Sequence, residues 1–312
     1  MKISDLGERE RRERLLGGGL AIRTGSFVYK IRSNLPGISD LIGLVYGEFP
    51  AFDLPALADF HIGVHACRSW VRPWRKRVAV AEGGVPLFKP CPLKEAFAYL
   101  EWGMNACIAW NAHHWLLLHA ASLEKEGRGV LFLGSTGIGK STMAAALAAW
   151  GWRLLSDECG IVEMDSLRLL ALARPICLKN EAIDLIKAWN PGAVFTVPEK
   201  VRRKGLLCHM APPAESVRRM EEKAVPQALV FPDFQPGAVP RLSELSKPEA
   251  MRRAIACSFN YRELGRAGFD CLARLVDACE CYELKYGDLE GGVRVAEDIL
   301  ERAAASTRGA KG

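Results

Sequence analysis

The sequence predicts an α/β protein, and three observations carry that prediction. A run of strand formers, Val130-Leu-Phe-Leu133, leads into a glycine-rich loop and at once into a helical segment from Thr142 to Trp150. Gly151 ends that helix, and Trp152 to Ser156 reads as a short strand that a right-handed crossover sets parallel to the first. Upstream, strand-like alternation is interspersed with helix-like segments through the first hundred residues.

Residues 1–18 are densely charged and are expected to form a frayed helix or tail. Leu20 to Arg32 alternates apolar and polar residues around Thr24-Gly25-Ser26, the pattern of two strands and a turn. Asn34-Leu-Pro36 opens a helix that runs to Tyr46 and stops at Gly47. Phe60 to Ala66 and Arg77 to Ala81 return to strand periodicity. These elements form an amino-terminal unit, α/β or mainly β, assigned to residues 1–105. His61 and His65 share a strand face at a separation too large for one ion, so packing is their expected role.

A second domain is assigned to residues 106–312. It is approached by a helix from Leu93 to Trp110, with Phe97, Leu100, Met104 and Cys107 on one side. Trp115 to Leu123 reads as a buried strand, joined by a Glu124–Gly129 hairpin to the strand before the loop. Farther on, Asn180 to Trp189 is helical, and Val201 to His209 is a basic strand or loop. Ala228 to Phe231 and Cys281 to Tyr286 are strands. Lys247 to Asn260 and Gly265 to Cys279 are amphipathic helices. A helix from Gly287 to Ala305 closes the chain, with a disordered tail expected from Ser306.

Composition narrows the function classes. The chain has 312 residues, 49% of them hydrophobic, enough for a substantial core. A net charge of +6 is mildly basic, and the excess is local, in Arg72-Pro-Trp-Arg75-Lys76-Arg77 and Lys200-Val-Arg202-Arg203-Lys204. Such runs read as solvated faces, and no zinc-finger or RNA-recognition signature accompanies them, so nucleic acid is not an expected partner. The longest apolar stretch, 106–121, is broken by Asn111, His113 and His114 and is too polar to span a membrane. Ten cysteines stand mostly singly in apolar runs, where they serve as small reduced core residues. With a charged start where a secretory segment would be apolar, a soluble cytoplasmic protein is expected, with self-association left open.

The loop itself spells Gly134-Ser135-Thr136-Gly137-Ile138-Gly139-Lys140-Ser141-Thr142, a Walker A phosphate-binding loop, or P-loop, in its proper strand–loop–helix context. Gly134 and Gly139 let the backbone curl so that N–H groups point at phosphate oxygens, and the helix start adds its positive end. Lys140 is suited to the β- and γ-phosphates of ATP, and the Ser141 hydroxyl to Mg²⁺. The helix descends about 15 Å from the loop, and the following strand climbs back about 16 Å. Asp157 and Glu158 are therefore expected at the same edge as the loop, where carboxylates hold metal or take a proton. His119, one strand over, reads either as a satisfied core histidine or as part of the site.

The loop, the short helix, Gly151-Trp-Arg-Leu-Leu-Ser-Asp-Glu158 and the upstream Leu118-His-Ala-Ala121 resemble the kinase domain of the HPr kinase/phosphorylase family, nearest to its HprK-related kinase A group. The motif-level resemblance covers about residues 116–163, and a weaker likeness includes Arg174 to Asn180, Arg203 to His209 and Phe231 to Tyr286. The first hundred residues show no clear resemblance to that family's amino-terminal domain. The resemblance implies a PEP-carboxykinase-like core, a mixed sheet with flanking helices. It makes Asp157 the catalytic aspartate, with Lys140 and His119 beside it, and assigns Glu158 with Ser141 to the metal, although the family carries a second aspartate at that position. The Glu-x-Arg-Gly-x-Gly loop that serves the family's reverse, phosphate-consuming reaction is not recognisable, so that reaction is not expected.

The expected function is therefore ATP-dependent phosphotransfer to a serine hydroxyl of a small acceptor protein, an HPr-like or PqqD-like carrier. Two alternatives stay open: a kinase of a small molecule such as free serine, and a nucleotide-binding regulator with little turnover.

Overall fold

The structure is a computed structural model that describes residues 1–52, 57–68 and 76–309. The chain forms two compact units: Met1–Ala112 with Arg174–Lys187 and Gly192–Arg218, and His113–Ala173 with Ala188–Pro191 and Arg219–Gly312. In chain order the elements are α1 (Glu8–Leu16), β1 (Leu20–Thr24), β2 (Phe27–Ser33), α2 (Pro36–Val45), β3 (Ala51–Phe52), β4 (Phe60–Arg68), β5 (Lys76–Glu82), β6 (Val85–Pro86), β7 (Cys91–Pro92) and α3 (Ala96–Asn111). There follow β8 (Trp115–Lys125), β9 (Arg128–Leu133), α4 (Lys140–Ala149), β10 (Arg153–Ser156), β11 (Cys159–Glu163), β12 (Leu169–Leu170), β13 (Ile176–Lys179), α5 (Glu181–Trp189), β14 (Glu199–Val201) and β15 (Gly205–Met210). Last come α6 (Ala214–Arg218), β16 (Val225–Phe234), β17 (Arg241–Glu244), α7 (Lys247–Ala256), α8 (Tyr261–Ala278), β18 (Glu280–Tyr286) and α9 (Leu289–Gly309). This is an α/β fold with mixed sheets and flanking helices.

The first unit is built on a sheet of order β3-β1-β2-β4-β5-β6, with β7 also on β5. The β1–β2 hairpin pairs Thr24 with Phe27 across Gly25, whose φ of 60° suits glycine. The β2–β4 pair is parallel, and α2 connects these strands. A separate antiparallel sheet, β13-β15-β14, belongs to the same unit. Inside it, Arg174 is held by Glu101, with Nη2 at 2.7 Å from Oε2, and by Asn105 at 2.7 Å; Tyr46 donates to the other Glu101 oxygen at 2.7 Å.

Two expectations for this region change, and a third falls outside the described residues. The charged start is not frayed: Ile3 donates to the Phe49 carbonyl at 2.9 Å, and Ile3, Leu6 and Leu15 are buried. Apolar residues at 3, 6 and 15 suffice to anchor a segment whose remaining surface is charged. His61 and His65 lie on a strand as expected, but both are exposed. The basic run at Arg72–Arg75 lies outside the described residues.

The second unit is organised on β12-β11-β8-β9-β16-β18-β17, with β10 also on β8. Strands β9, β16 and β18 run parallel, so their carboxyl ends share one edge. The β8–β9 hairpin turns through Glu126 (φ 54°) and Gly127 (φ 78°), the two left-handed positions that match the twist of paired strands. Leu116, Leu118, Leu131, Leu133, Leu229 and Phe231 alternate onto one face and pack with Leu272 and Leu275 of α8. The intervening Leu117, Val130, Phe132, Ala228 and Val230 are also buried, as expected for strands covered on both faces. Helices α4 and α9 pack together and against this sheet. Helix α8 changes direction at Gly265, and α9 extends through Gly309 where a disordered tail was expected from Ser306. Among the described residues no helix is long and apolar enough to cross a membrane.

Candidate functional site

Strand β9 leaves its sheet at Gly134, and the chain curls through Gly134 (φ 155°), Gly137 (φ 96°) and Gly139 (φ 95°) before α4 begins. At Gly137 and Gly139 a side chain would strain the backbone. At Gly134 a Cβ would collide with the Ile138 side chain, so the loop closes on itself there. Gly139 caps α4 without any side-chain hydrogen bond, and the first turn carries no acidic residue. The positive end of a ten-residue helix thus faces the loop uncompensated from within.

Lys140 is 6% exposed, and its ammonium donates to the carbonyls of Gly134 at 2.7 Å and Ser135 at 2.9 Å. The side chain folds back over the loop, where its charge adds to that of the helix end. Ser141 and Thr142 follow in the first turn, both partly exposed. Ser135, Thr136 and Gly137 form the exposed crest. The fold thus brings the predicted loop residues 134–142 together.

The carboxylates reach this edge by a route that the sequence reading describes only in part. Strand β10 is parallel to β9, as expected, but β8 lies between them: β10 pairs with β8 antiparallel, and β8 with β9 antiparallel. Strand β11 continues in the same direction along β8, with Ser156 opposite Ser122 and Cys159 opposite His119. Thus β10 and β11 are one strand interrupted at Asp157 and Glu158. The Ser156 hydroxyl accepts the Cys159 N–H at 3.1 Å and spans the interruption. Ala120, beside the break, pairs with Leu133, the last residue before the loop. Carried across β8, this register sets Glu158 level with Leu133 and Asp157 with Phe132, at the end of the strand that enters the loop. Asp157 is buried at 9% exposure, and Glu158 is half-buried.

His119 stands on β8 at the same level. Its carbonyl accepts the Gly134 N–H at 3.5 Å, and its own N–H donates to the Cys257 carbonyl at 2.6 Å. Where β9 departs as the loop, Cys257–Phe259 takes its place beside β8. Asn260 fixes that segment by accepting from Leu117 at 3.0 Å and donating to the Trp115 carbonyl at 2.8 Å. The His119 ring lies 5.4 Å from Phe259, centroid to centroid, and is partly exposed. It is a rim residue rather than a core one.

Two residues at this edge carry no local sequence signal. Asp233 and Tyr286 end the neighbouring parallel strands β16 and β18, where Asp233 pairs with Lys285 and Phe234 with Tyr286. A Cβ on Gly139 would lie 2.7 Å from the Tyr286 hydroxyl, so this phenol is packed against the loop. Burial, with a smaller contribution from Asp233, pushes the phenol up to about 12. Gln235 donates to Asp233 at 2.8 Å. Only the parallel pairing of β16 with β9 could have revealed them.

Lys179, Arg203 and Lys204, basic residues of the weaker likeness, belong to the other compact unit. The Lys204 ammonium stands 5.9 Å from the Trp102 ring centre. No group of three or more histidine, cysteine, aspartate or glutamate side chains arranged to hold a metal occurs among the described residues.

No family model matches the sequence, and no curated protein matches it. The functional reading therefore rests on the loop and its neighbours.

Proposed function

We propose that the protein is an ATP-dependent phosphotransferase of the HPr kinase type that acts on a serine hydroxyl of a small acceptor protein. The observation that carries the reading is the break between β10 and β11. It delivers a buried aspartate and a half-buried glutamate beside the last strand residues before a glycine-rich loop at a helix start. Isolated glycine loops have many uses; one with a lysine folded over it and carboxylates alongside is suited to moving a phosphoryl group.

In this reading the loop N–H groups and α4 bind the β- and γ-phosphates. Lys140 exchanges its two carbonyl partners for phosphate oxygens. The donor set fits Mg²⁺, which takes one or two carboxylates with phosphates and water: the Ser141 hydroxyl and Glu158 would hold it, and it would neutralise charge on the phosphates. Asp157 accepts the proton of the acceptor hydroxyl as the new O–P bond forms and the bond from γ-phosphorus to the bridging oxygen breaks, leaving ADP. His119 borders the acceptor side.

The test is transfer of labelled phosphate from ATP to proteins recovered with the chain, with Lys140→Ala as the control. The variant should remain folded while ATP binding and transfer nearly vanish. A folded Lys140→Ala protein with unchanged ATP affinity and transfer rate would remove the loop from the reaction.

A further inference from the structure

The first unit contains a cavity of about 610 Å³ that the phosphotransfer reading does not use. That is within the range of small-molecule sites, roughly 300–1,000 Å³. Its walls come from the starts of α2 and α3 and from the β14–β15 hairpin. Leu207 and His209 line it, whereas Leu206, Cys208 and Met210 do not; on β14 the same holds for Glu199 and Val201 against Lys200. That period of two means that side chains, not backbone, face the space. Leu41, Phe97, Ala98, Val201 and Leu207 make an apolar body.

Two features give the cavity polarity. His209 is 4% exposed, stands edge-on to Phe97 at 5.1 Å, and its Nε2 has no hydrogen-bond partner among the described residues. A buried nitrogen left unpaired is costly, and a ligand group with a matching hydrogen bond would recover that cost. Among the described residues at the rim, Lys76, Arg77 and Lys94 outnumber the one carboxylate, Glu199. Leu35–Ile38, the start of α2, also line the cavity, and this ten-residue helix has neither an acidic first turn nor a side-chain cap. Its positive end therefore adds to the cationic rim.

We propose that this cavity is a binding site for a small amphiphilic carboxylate: the acid group at Lys76, Arg77, Lys94 and the α2 start, the apolar body against Leu41, Phe97 and Leu207, and a hydroxyl or amide at His209. Volume, apolar walls, a basic rim and a deep unpaired imidazole together describe that chemistry. A bare inorganic anion would leave the apolar walls wet, and a neutral apolar molecule would leave both polar ends unanswered.

The experiment uses the full chain and titrates 10-hydroxydecanoate, decanoate, decanol and decylamine by calorimetry, with thermal unfolding alongside. The hydroxy acid should bind best, decanoate next, decanol weakly and decylamine not at all. Lys76→Glu with Lys94→Glu should weaken both acids at least tenfold and leave decanol unchanged. His209→Phe should abolish the preference for the hydroxy acid without loss of stability in the ligand-free protein. Leu41→Trp, which fills the space from a half-buried helix position, should remove all binding. Failure of every acid to bind would overturn the proposal. So would equal binding of decylamine, or a Leu41→Trp protein that still binds.

Discussion

Strands β8 and β10 carry an acid–base grouping at each end, and the two ends have opposite characters. At one end Glu124, 1% exposed at its side chain, is paired with Arg153. Glu124 also accepts the Gly127 N–H, and Arg219 stands 3.6 Å away. Arg153 Nη1 donates to the carbonyls of Arg219 at 2.9 Å and Glu222 at 3.0 Å. At the other end the strand is interrupted, Asp157 and Glu158 lie beside a curled loop, and Lys140 is held by carbonyls of that loop. Similar residue types serve two purposes. A charge pair closed by its own fold is structural, whereas charges gathered where a strand stops and a helix starts remain exchangeable for those of a ligand.

The largest expected effect is at the closed end. Arg153→Met leaves the buried Glu124 carboxylate without its nearer cation and should cost about 3–5 kcal/mol of stability, read by denaturant unfolding. Adding Glu124→Leu should restore most of it. If the single variant is as stable as the parent, the closed end is not structural and the contrast fails.

The open end should respond in rate rather than in stability. In the proposed reaction Asp157→Asn would keep the shape and remove the base, so transfer should fall about 10²–10⁴-fold with ATP affinity nearly unchanged. Glu158→Gln should act less on rate at saturating Mg²⁺ and more on the Mg²⁺ concentration required. Titrating both variants with Mg²⁺ sharpens the division. Rescue of Asp157→Asn by excess metal, with none for Glu158→Gln, would reverse the two roles, and an Asp157→Asn protein that unfolds like Arg153→Met would erase the contrast altogether.

The smallest effect concerns the phenol behind the loop. In an unfolded chain tyrosine ionises near pH 10, whereas Tyr286 is pushed up to about 12 by burial and by Asp233. The unfolded state loses its proton first, so stability present below about pH 10 declines as the pH rises toward 12. Tyr286→Phe should flatten that part of the alkaline slope in denaturant midpoints. The slope from the buried thiols, Cys91 and Cys271 at about 11 and Cys107 at about 12, should persist.

Much of this was legible in local pattern. The helices from Pro36, Ala96, Lys140 and Lys247, the hairpin before β9, and the loop all follow from spacing and punctuation. The route of β10 was legible only in direction, because a crossover rule sets a strand parallel without naming its neighbour. That β8 intervenes is a fact about pairing between distant segments. For the same reason Asp233 and Tyr286 were invisible: each is an ordinary residue at a strand end until β16 is laid beside β9. His61 and His65 show the converse, since a period of two identifies a shared face but not which face meets solvent.

The interruption between β10 and β11 also restricts how the chain can vary in length. Beyond it, Gly160 sits where a Cβ would lie 3.0 Å from Leu131 and 3.3 Å from Ala120. Losing one residue at the break would move Ile161 into the place of Gly160 and turn every side chain of β11 to the opposite face. Substitutions at 157 and 158 alter chemistry and leave the alignment alone, whereas a deletion there would shift β11 against β8 and β12. The segment is thus free to change its letters and not its count, and any descendant chain that keeps this sheet must keep two residues between Ser156 and Cys159.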